Sequence, residues 1–251
     1  MAATKVFELG NYRYIPGVTQ YSAGVAAEPG YRIERVRFKR PIPLKEGFAR
    51  IRAILEKAGR PVTAFCACEL RSPAPFTEQG FRDFNAIYIG TLKEWNIYKE
   101  GGDNPIARSN VCPEVNPPAE PSFHAFSFTV PDDGQEQPSF VVAGSAEAPE
   151  TGGDYRSNAI SLDDVSPAGM TKKVAWVLGE MERRLSALGA SWADTTAAQI
   201  YTVHDFHHTV EPELAARGVM HGGATWHYNR PPVVGLDYEM DCRGVSVERV
   251  E

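Results

Sequence analysis

The residues best suited to chemistry lie near the end of the chain. Within residues 236–243, the side chains of Asp237, Glu239, Asp241 and Arg243 alternate with apolar ones. On a β-strand these four side chains share one face. That face is either a solvated surface or part of a closed cleft, in which one carboxyl has a raised pKa and transfers protons.

A second candidate is Arg108, which follows a loop and begins a predicted strand within residues 104–111. Its guanidinium either binds a carboxylate through two parallel hydrogen bonds or lies on the surface. The sequence contains no Walker-type loop, no Gly-x-Ser-x-Gly and no dinucleotide fingerprint after a strand. It therefore gives no support to nucleotide cofactors or to a serine nucleophile.

The histidines form a third group, because five of the six lie between His204 and His227. His204 and His208 have the one-turn spacing of metal ligands. Alternatively, Asp205 is a helix N-cap with exposed imidazoles beside it, and we expect no metal. The sixth histidine, His124, lies on a predicted strand face, where a buried imidazole with a satisfied partner is the simplest interpretation.

The elements that must position these residues occur twice. Residues 170–188 carry apolar side chains at the spacing of an amphipathic helix, Gly189 can end that helix, and residues 195–203 have the composition of a buried strand. Residues 44–58, Gly59 and residues 62–70 repeat this pattern roughly 130 residues earlier. The repeat predicts a tandem duplication.

Each half is predicted to contain strands, a helix, a strand, a second helix and further strands. The second helices are expected to begin at Thr77 and to span residues 206–216. This order predicts an α+β fold in which each domain is a mixed β-sheet with two helices on one face. The turn-rich residues 132–138 are the predicted linker between domains at 1–131 and 139–251.

The composition excludes several classes of protein. A net charge of −6 argues against a nucleic-acid binder, which needs clustered Lys and Arg. No apolar run is long enough to cross a bilayer, and the first residues lack the order of a signal peptide. The four cysteines do not form a disulfide framework in a chain of this length. We therefore expect a cytoplasmic protein without membrane contact.

Several motifs resemble the Rid (YjgF-like) family of enamine/imine deaminases. In the second half these are LGASWAD at residues 188–194, IYTVHDF at 200–206 and PPVVGLDYEMD at 231–241. In the first half, PIARS at residues 105–109 is similar to the family's "PAR[ST]". The resemblance implies a chorismate-mutase-like α+β fold for each half, assembly as a trimeric ring, and ligand clefts between neighbouring domains.

The resemblance also implies site residues. Arg108 matches the arginine that grips the substrate carboxylate, and Asn110 stands near the position where many members carry a cysteine. Glu239 matches the glutamate that helps place the attacking water. Neither half has both groups, because His124 lies near the glutamate position of the first half and His221 near the arginine position of the second. Arg108 and Glu239 are therefore expected to share one site, the alternative being a divergent site in each half that uses His124 or His221.

A long, duplicated Rid-like chain resembles the 2-aminomuconate deaminases of aromatic-compound breakdown. The implied function is cofactor-independent, hydrolytic deamination of 2-aminomuconate or a close enamine/imine dicarboxylate, with release of ammonia. The alternatives are a general 2-imino acid deaminase and a non-catalytic protein that binds small acids. The expected partners are a small dicarboxylate and further copies of the chain, as a trimer of two-domain chains.

Overall fold

The computed structural model describes residues 4–132, 134, 138–149 and 155–251. The predicted linker, residues 132–138, therefore lies largely outside the described residues. Among the described helices, none has both the length and the apolar character needed to cross a membrane.

The fold is a mixed α+β fold, as predicted, and its described part contains three α-helices. The helices are α1 (Leu44–Lys57), α2 (Glu78–Glu94) and α3 (Pro167–Leu188). The strands of the first half are β1 (Lys5–Phe7), β2 (Tyr12–Ile15), β3 (Gly24–Ala27), β4 (Tyr31–Pro43), β5 (Phe65–Arg71), β6 (Ala107–Pro113) and β7 (Ser122–Pro131). Those of the second half are β8 (Phe140–Ala146), β9 (Ala197–Tyr201), β10 (Ala224–His227), β11 (Asn229–Arg230), β12 (Glu239–Gly244) and β13 (Val247–Val250).

These strands form two sheets with the same central topology. One has the order β11-β6-β5-β7-β4-β13, and the other has the order β1-β2-β3-β8-β12-β9-β10. In the first sheet β5 pairs parallel with β6 and antiparallel with β7. In the second sheet β9 pairs in the same way with β10 and β12. The repeat in the sequence therefore corresponds to a repeat in strand pairing.

The two halves exchange strands at both ends of the chain. The amino-terminal strands β1–β3 join the second sheet through the pairing of β3 with β8. The carboxy-terminal strand β13 pairs with β4 in the first sheet. Neither sheet is thus built from one half alone. The domain limits 1–131 and 139–251 therefore stay a prediction about how the sequence divides, and they do not describe the two sheets.

The two strongest predicted helices are observed for the predicted reasons. In α1 the apolar stripe of Phe48, Ile51 and Leu55 is buried, and α3 buries its own stripe against the second sheet. Gly189 ends α3 with a φ of +77°, a conformation that glycine adopts without steric cost. The helix predicted from Thr77 is α2, whose Gly80 N–H donates to Thr77 Oγ1.

The α-helix predicted for residues 206–216 is not formed. The chain makes a 3-10 turn at His207–Thr209 and a single π-helical segment at Val210–Ala215. Pro212 lies inside this segment, and since proline has no backbone N–H to donate, it disfavours a regular α-helix there. In its described part, the second half therefore has one α-helix rather than two.

We expect Leu178→Ala in α3 to lower the free energy of unfolding by about 2–5 kcal/mol, because it leaves a cavity in the second core. Leu178 is fully buried, whereas Ser186 on the same helix is exposed. Ser186→Ala is the matched control and should change that free energy by less than about 0.5 kcal/mol. Urea unfolding of both variants makes the measurement, and equal effects would contradict the described packing of α3.

Candidate active site

A narrow cavity lies where the two sheets pack together, and both halves contribute to its lining. Arg108 and Asn110 come from β6 of the first half, and Glu239 comes from β12 of the second. Tyr21, Phe81, Ala146, Ala148, Val233 and Leu236 are among the other lining residues. The free volume is about 30 Å³, room for roughly one or two water molecules.

The Arg108 guanidinium is buried in a cage of aromatic rings. Only 3% of the residue is exposed, and its Nη1 donates a hydrogen bond of 2.7 Å to Asn85 Oδ1 on α2. The guanidinium carbon lies close to four ring centroids, at 4.9 Å for Tyr21, 4.9 Å for Tyr88, 5.5 Å for Phe84 and 5.7 Å for Phe81. Cation–π attraction therefore offsets part of the cost of removing this charge from water.

Two buried donors at the cavity have no acceptor among the residues that the structure describes. Neither Arg108 Nη2 nor Asn110 Nδ2 has a hydrogen-bond partner in the described part of the chain. Asn110 is oriented through its other atom, because Ser72 Oγ donates to Asn110 Oδ1 at 2.9 Å. Buried donors of this kind are costly unless an acceptor satisfies them. An anion with two oxygens, such as a carboxylate, would satisfy both.

Glu239 enters the same cavity from the other sheet. It is the first residue of β12, is 3% exposed and pairs with Ala146 of β8. Gly144 of β8 leaves space for its carboxyl, because a Cβ at Gly144 would overlap Glu239 Oε1 and would lie 3.2 Å from Ser109 Cα. The structure thus brings Arg108, Asn110 and Glu239 together.

This arrangement supports two chemical tasks at one place. The guanidinium and the amide can bind and orient a carboxylate through charge-assisted hydrogen bonds. The carboxyl of Glu239 can accept and return protons in a site that is largely shielded from water. Both tasks are needed for the addition of water to a polarised C=N bond beside a carboxylate.

Comparison with known proteins agrees with this chemistry. The family model described as 2-aminomuconate deaminase CnbZ matches residues 4–249. The chain belongs to the 2-aminomuconate deaminase CnbZ family. A similar relative is the 2-amino-5-chloromuconate deaminase of Comamonas testosteroni, which is 52% identical over 246 residues, with 98% of each chain covered.

Solved structures show weaker likenesses to this CnbZ-family chain. The YjgF gene product of E. coli covers 43% of this chain and 80% of its own, with 13% identity and a TM-score of 0.32. A cyanuric acid hydrolase covers 88% of this chain and 70% of its own, with 10% identity and a TM-score of 0.46. Likenesses with TM-scores this low carry no assignment of activity.

The polar face of the last predicted strand is not a solvated surface. Glu239, Asp241 and Arg243 are exposed by only 3%, 4% and 9%. Asp241 accepts hydrogen bonds from Ser109 Oγ at 2.6 Å, Gln199 Nε2 at 2.8 Å and Tyr201 Oη at 2.9 Å. Burial, with the charge of Glu69 nearby, raises the pKa of Asp241. This face is therefore the polar contact between the two sheets, and Glu239 is the member of it that reaches the cavity.

His124 lies on β7, away from the cavity lining, in a second buried polar cluster. There Arg35 pairs with Glu69 through hydrogen bonds of 2.6 and 2.9 Å. Although burial acts in the opposite direction, this pair holds the pKa of Glu69 well below its ordinary value. Burial, with the Arg71 guanidinium beside it, lowers the pKa of His124 to about 3. The structure does not bring His124 together with Arg108 and Glu239.

His221 and the other histidines of the second half also lie outside the cavity. His221 is exposed in the turn Val219–Gly222. His204 Nε2 lies 3.2 Å from Asp237 Oδ1, whereas His208 Nε2 lies 2.9 Å from the carbonyl oxygen of Pro167. Within the described ranges, no group of three or more His, Cys, Asp or Glu side chains could hold a metal ion. The geometry gives the metal alternative no support.

The aromatic cage and Asn85 are the parts of the candidate site that the sequence did not reveal. Phe81, Phe84 and Tyr88 lie at helical spacing on α2, as core residues do, and they are buried. The available signal was Asn85, a polar residue between Phe84 and Tyr88 that is only 2% exposed. A buried amide within an apolar stripe indicates a polar partner, which here is Arg108.

The partial burial of His124 makes stability depend on pH. Its folded-state pKa of about 3 lies below the ordinary value of 6.5, so between these values the unfolded chain binds more protons. The stability that depends on neutral His124 is therefore present above about pH 6.5 and is lost as the pH falls towards about pH 3. We expect His124→Gln to lose less free energy of unfolding than the wild type between about pH 7 and about pH 4.

Urea titrations at several pH values make this measurement. Other buried groups, such as Asp241, are present in both proteins, so the difference between the two pH profiles reports His124 together with its electrostatic coupling to Glu69. His221→Gln, at an exposed position, is the matched control and should follow the wild-type profile. Parallel profiles for His124→Gln and the wild type would contradict the placement of a neutral imidazole there.

Proposed function

We propose that this protein is a hydrolytic deaminase that acts on 2-aminomuconate or a close enamine/imine dicarboxylate in the breakdown of aromatic compounds. Membership of the CnbZ family and the 52% identical deaminase of Comamonas testosteroni support this proposal. The observation that carries it is the cavity shared by the unsatisfied donors of Arg108 and Asn110 and by Glu239.

In the proposed reaction the chain binds the carboxylate next to the reacting carbon. Arg108 Nη2 and Asn110 Nδ2 donate to its two oxygens and hold the substrate in place. The enamine tautomerises to an imine, water adds to the C=N bond, and the resulting carbinolamine loses ammonia to give an oxo-dicarboxylate. Glu239 takes a proton from the attacking water and returns one to the departing nitrogen. The positive charge of Arg108 stabilises negative charge that develops on the substrate.

A six-carbon acid needs more space than the described cavity offers, so we propose that part of its lining opens. Residues 232–236 supply Pro232, Val233 and Leu236 to the lining. They are tied to the first half through Phe76, whose N–H donates to Pro232 O at 2.7 Å and whose carbonyl accepts from Val234 N at 3.0 Å. Two backbone hydrogen bonds are a modest restraint, which makes this segment the proposed entrance.

The small free volume favours one alternative function, the deamination of smaller 2-imino acids. The chemistry would be the same, and Arg108 would hold the single carboxylate. Initial rates on a three-carbon imino acid and on 2-aminomuconate separate the two functions. Higher kcat/KM for the six-carbon substrate is the result expected from the first proposal.

We also propose that the two halves are tandem Rid-like domains and that three chains assemble into a trimer. The matching strand pairings around β5 and β9 support the first statement. The proposal of a trimer rests on the resemblance to ring-forming Rid proteins. Light scattering of the purified protein tests it, and a monomer would overturn it.

Removal of either cavity charge should abolish most of the activity. Arg108→Met removes the guanidinium that donates hydrogen bonds to the substrate carboxylate. We therefore expect kcat/KM for ammonia release to fall at least about 100-fold. Glu239→Gln keeps the size of the side chain but not its proton affinity, and kcat should fall by about 100-fold or more.

Matched surface variants control for these changes. Arg50→Met and Glu100→Gln replace side chains that are 57% and 89% exposed, and both should retain wild-type rates. Far-ultraviolet circular dichroism should show an unchanged fold in all four variants. Wild-type turnover in Arg108→Met would remove Arg108 from the proposed mechanism.

A further inference from the structure

We infer that Glu147 and Lys173 are positioning residues that fix the start of β12 and thereby set the place of the Glu239 carboxyl in the cavity. This inference rests on the proposed function, in which Glu239 transfers protons. Neither Glu147 nor Lys173 is among the residues that line the cavity, so each would act through Glu239 and not on the substrate.

Glu147 and Lys173 form an ion pair in the interior of the second half. Both side chains are 0% exposed, and Lys173 Nζ lies 3.1 Å from Glu147 Oε1. Lys173 is on α3 and Glu147 directly follows β8. A buried ion pair of this kind is often no more stabilising than well-packed apolar side chains of similar volume. A role in positioning explains why charged groups occupy these two positions.

The Glu147 carboxylate binds the backbone immediately before Glu239. Its Oε1 accepts a hydrogen bond from Asp237 N at 2.7 Å, and its Oε2 accepts one from Tyr238 N at 3.0 Å. Hydrogen bonds to a carboxylate are stronger than those between neutral groups. Both oxygens are therefore used to hold the two residues that lead into β12.

Asp237 is held from the other side as well. Lys173 Nζ donates to Asp237 Oδ2 at 2.9 Å, and Thr202 Oγ1 donates to Asp237 O at 2.7 Å. His204 Nε2 lies 3.2 Å from Asp237 Oδ1. The backbone and the side chain of Asp237 are thus both fixed, and Lys173 connects them to Glu147. We call Glu147, Lys173 and Asp237 the β12 clamp.

The position of β12 matters because the Glu239 carboxyl has little room. Glu239 pairs with Ala146, the residue before Glu147. Its Oε1 lies so close to Gly144 that a Cβ there would overlap it. Since Leu236 on the other side of the clamp also lines the cavity, a shift of residues 237–238 would move the acid–base group and the cavity wall together. Small misplacements of a reacting group are known to cost much of the rate.

The kinetic test uses Glu147→Gln, which keeps the size of the side chain but can no longer accept two N–H groups as a carboxylate. We expect kcat to fall about tenfold and KM to stay within about twofold, because Arg108 and Asn110 lie on β6, outside the clamp. In a Glu239→Gln background the same change should cause no further loss, since the group that it positions is already absent.

Glu147→Asp and Leu55→Ala complete this test. Glu147→Asp retains the charge and should recover part of kcat. Leu55→Ala removes a fully buried side chain from α1, and it should lower the unfolding temperature without lowering kcat. The inference would be overturned if Glu147→Gln lowered kcat by the same factor in the wild type and in the Glu239→Gln variant. It would also be overturned if Glu147→Gln raised KM and left kcat unchanged.

Amide hydrogen exchange tests the clamp without any substrate. The peptide that covers residues 236–240 should exchange faster in Glu147→Gln than in the wild type, and Leu55→Ala should leave it unchanged. An unchanged exchange rate of this peptide in Glu147→Gln would contradict the inference that the β12 clamp fixes residues 237–238. Absence of ammonia release from the wild type would overturn the proposed function instead, so the two failures are distinguishable.

Discussion

A buried guanidinium that has no carboxylate partner among the described residues is the constraint on which this structure depends. Arg108 is 3% exposed, and in the described part of the chain no salt bridge joins it to an acidic side chain. Such a charge is costly to bury unless its surroundings compensate for it. Four aromatic rings and Asn85 supply part of that compensation, while Nη2 has no hydrogen-bond partner among the described residues. A carboxylate bound there, as the proposed function requires, would complete the set of partners.

The packing of the two sheets brings this guanidinium to an acid–base group. Ser109, next to Arg108 on β6, donates to Asp241 on β12 at 2.6 Å. Gln199 on β9 donates to Asp241 and, at 3.3 Å, to Glu69 on β5. These contacts join the sheets through polar groups, and the exchanged strands β1–β3 and β13 join them through the backbone. The halves therefore meet in a fixed register, and Glu239 reaches the cavity from the second half.

Local patterns in the sequence predicted much of the fold. The apolar spacing and the terminal glycine of α3 act within one segment, so its end at Leu188 follows from the sequence. Its start at Pro167 lies three residues before the predicted one. The segment at 206–216 was predicted to be a helix, but Pro212 disfavours a regular α-helix there. Strand exchange could not be predicted, because the pairing of β13 with β4 joins residues more than two hundred positions apart.

The candidate site was predictable only in part, for a related reason. Arg108, Asn110 and Glu239 were identified by motifs, and the structure places them on one cavity. His124 and His221 were chosen because they stand at corresponding positions in the other half, and the structure places both elsewhere. The aromatic cage combines Tyr21 with the α2 residues, so it exists only after the chain has folded. Long-range packing, and not residue type, decides which polar groups meet.

The most direct test of the shared cavity is a crystal structure of the Glu239→Gln variant with muconate, an unreactive dicarboxylate. We expect one ligand carboxylate on Arg108 Nη2 and Asn110 Nδ2, with the carbon chain directed towards residue 239 of the same chain. A ligand bound at the His124 cluster would contradict it. So would a ligand held between Arg108 of one chain and residue 239 of another.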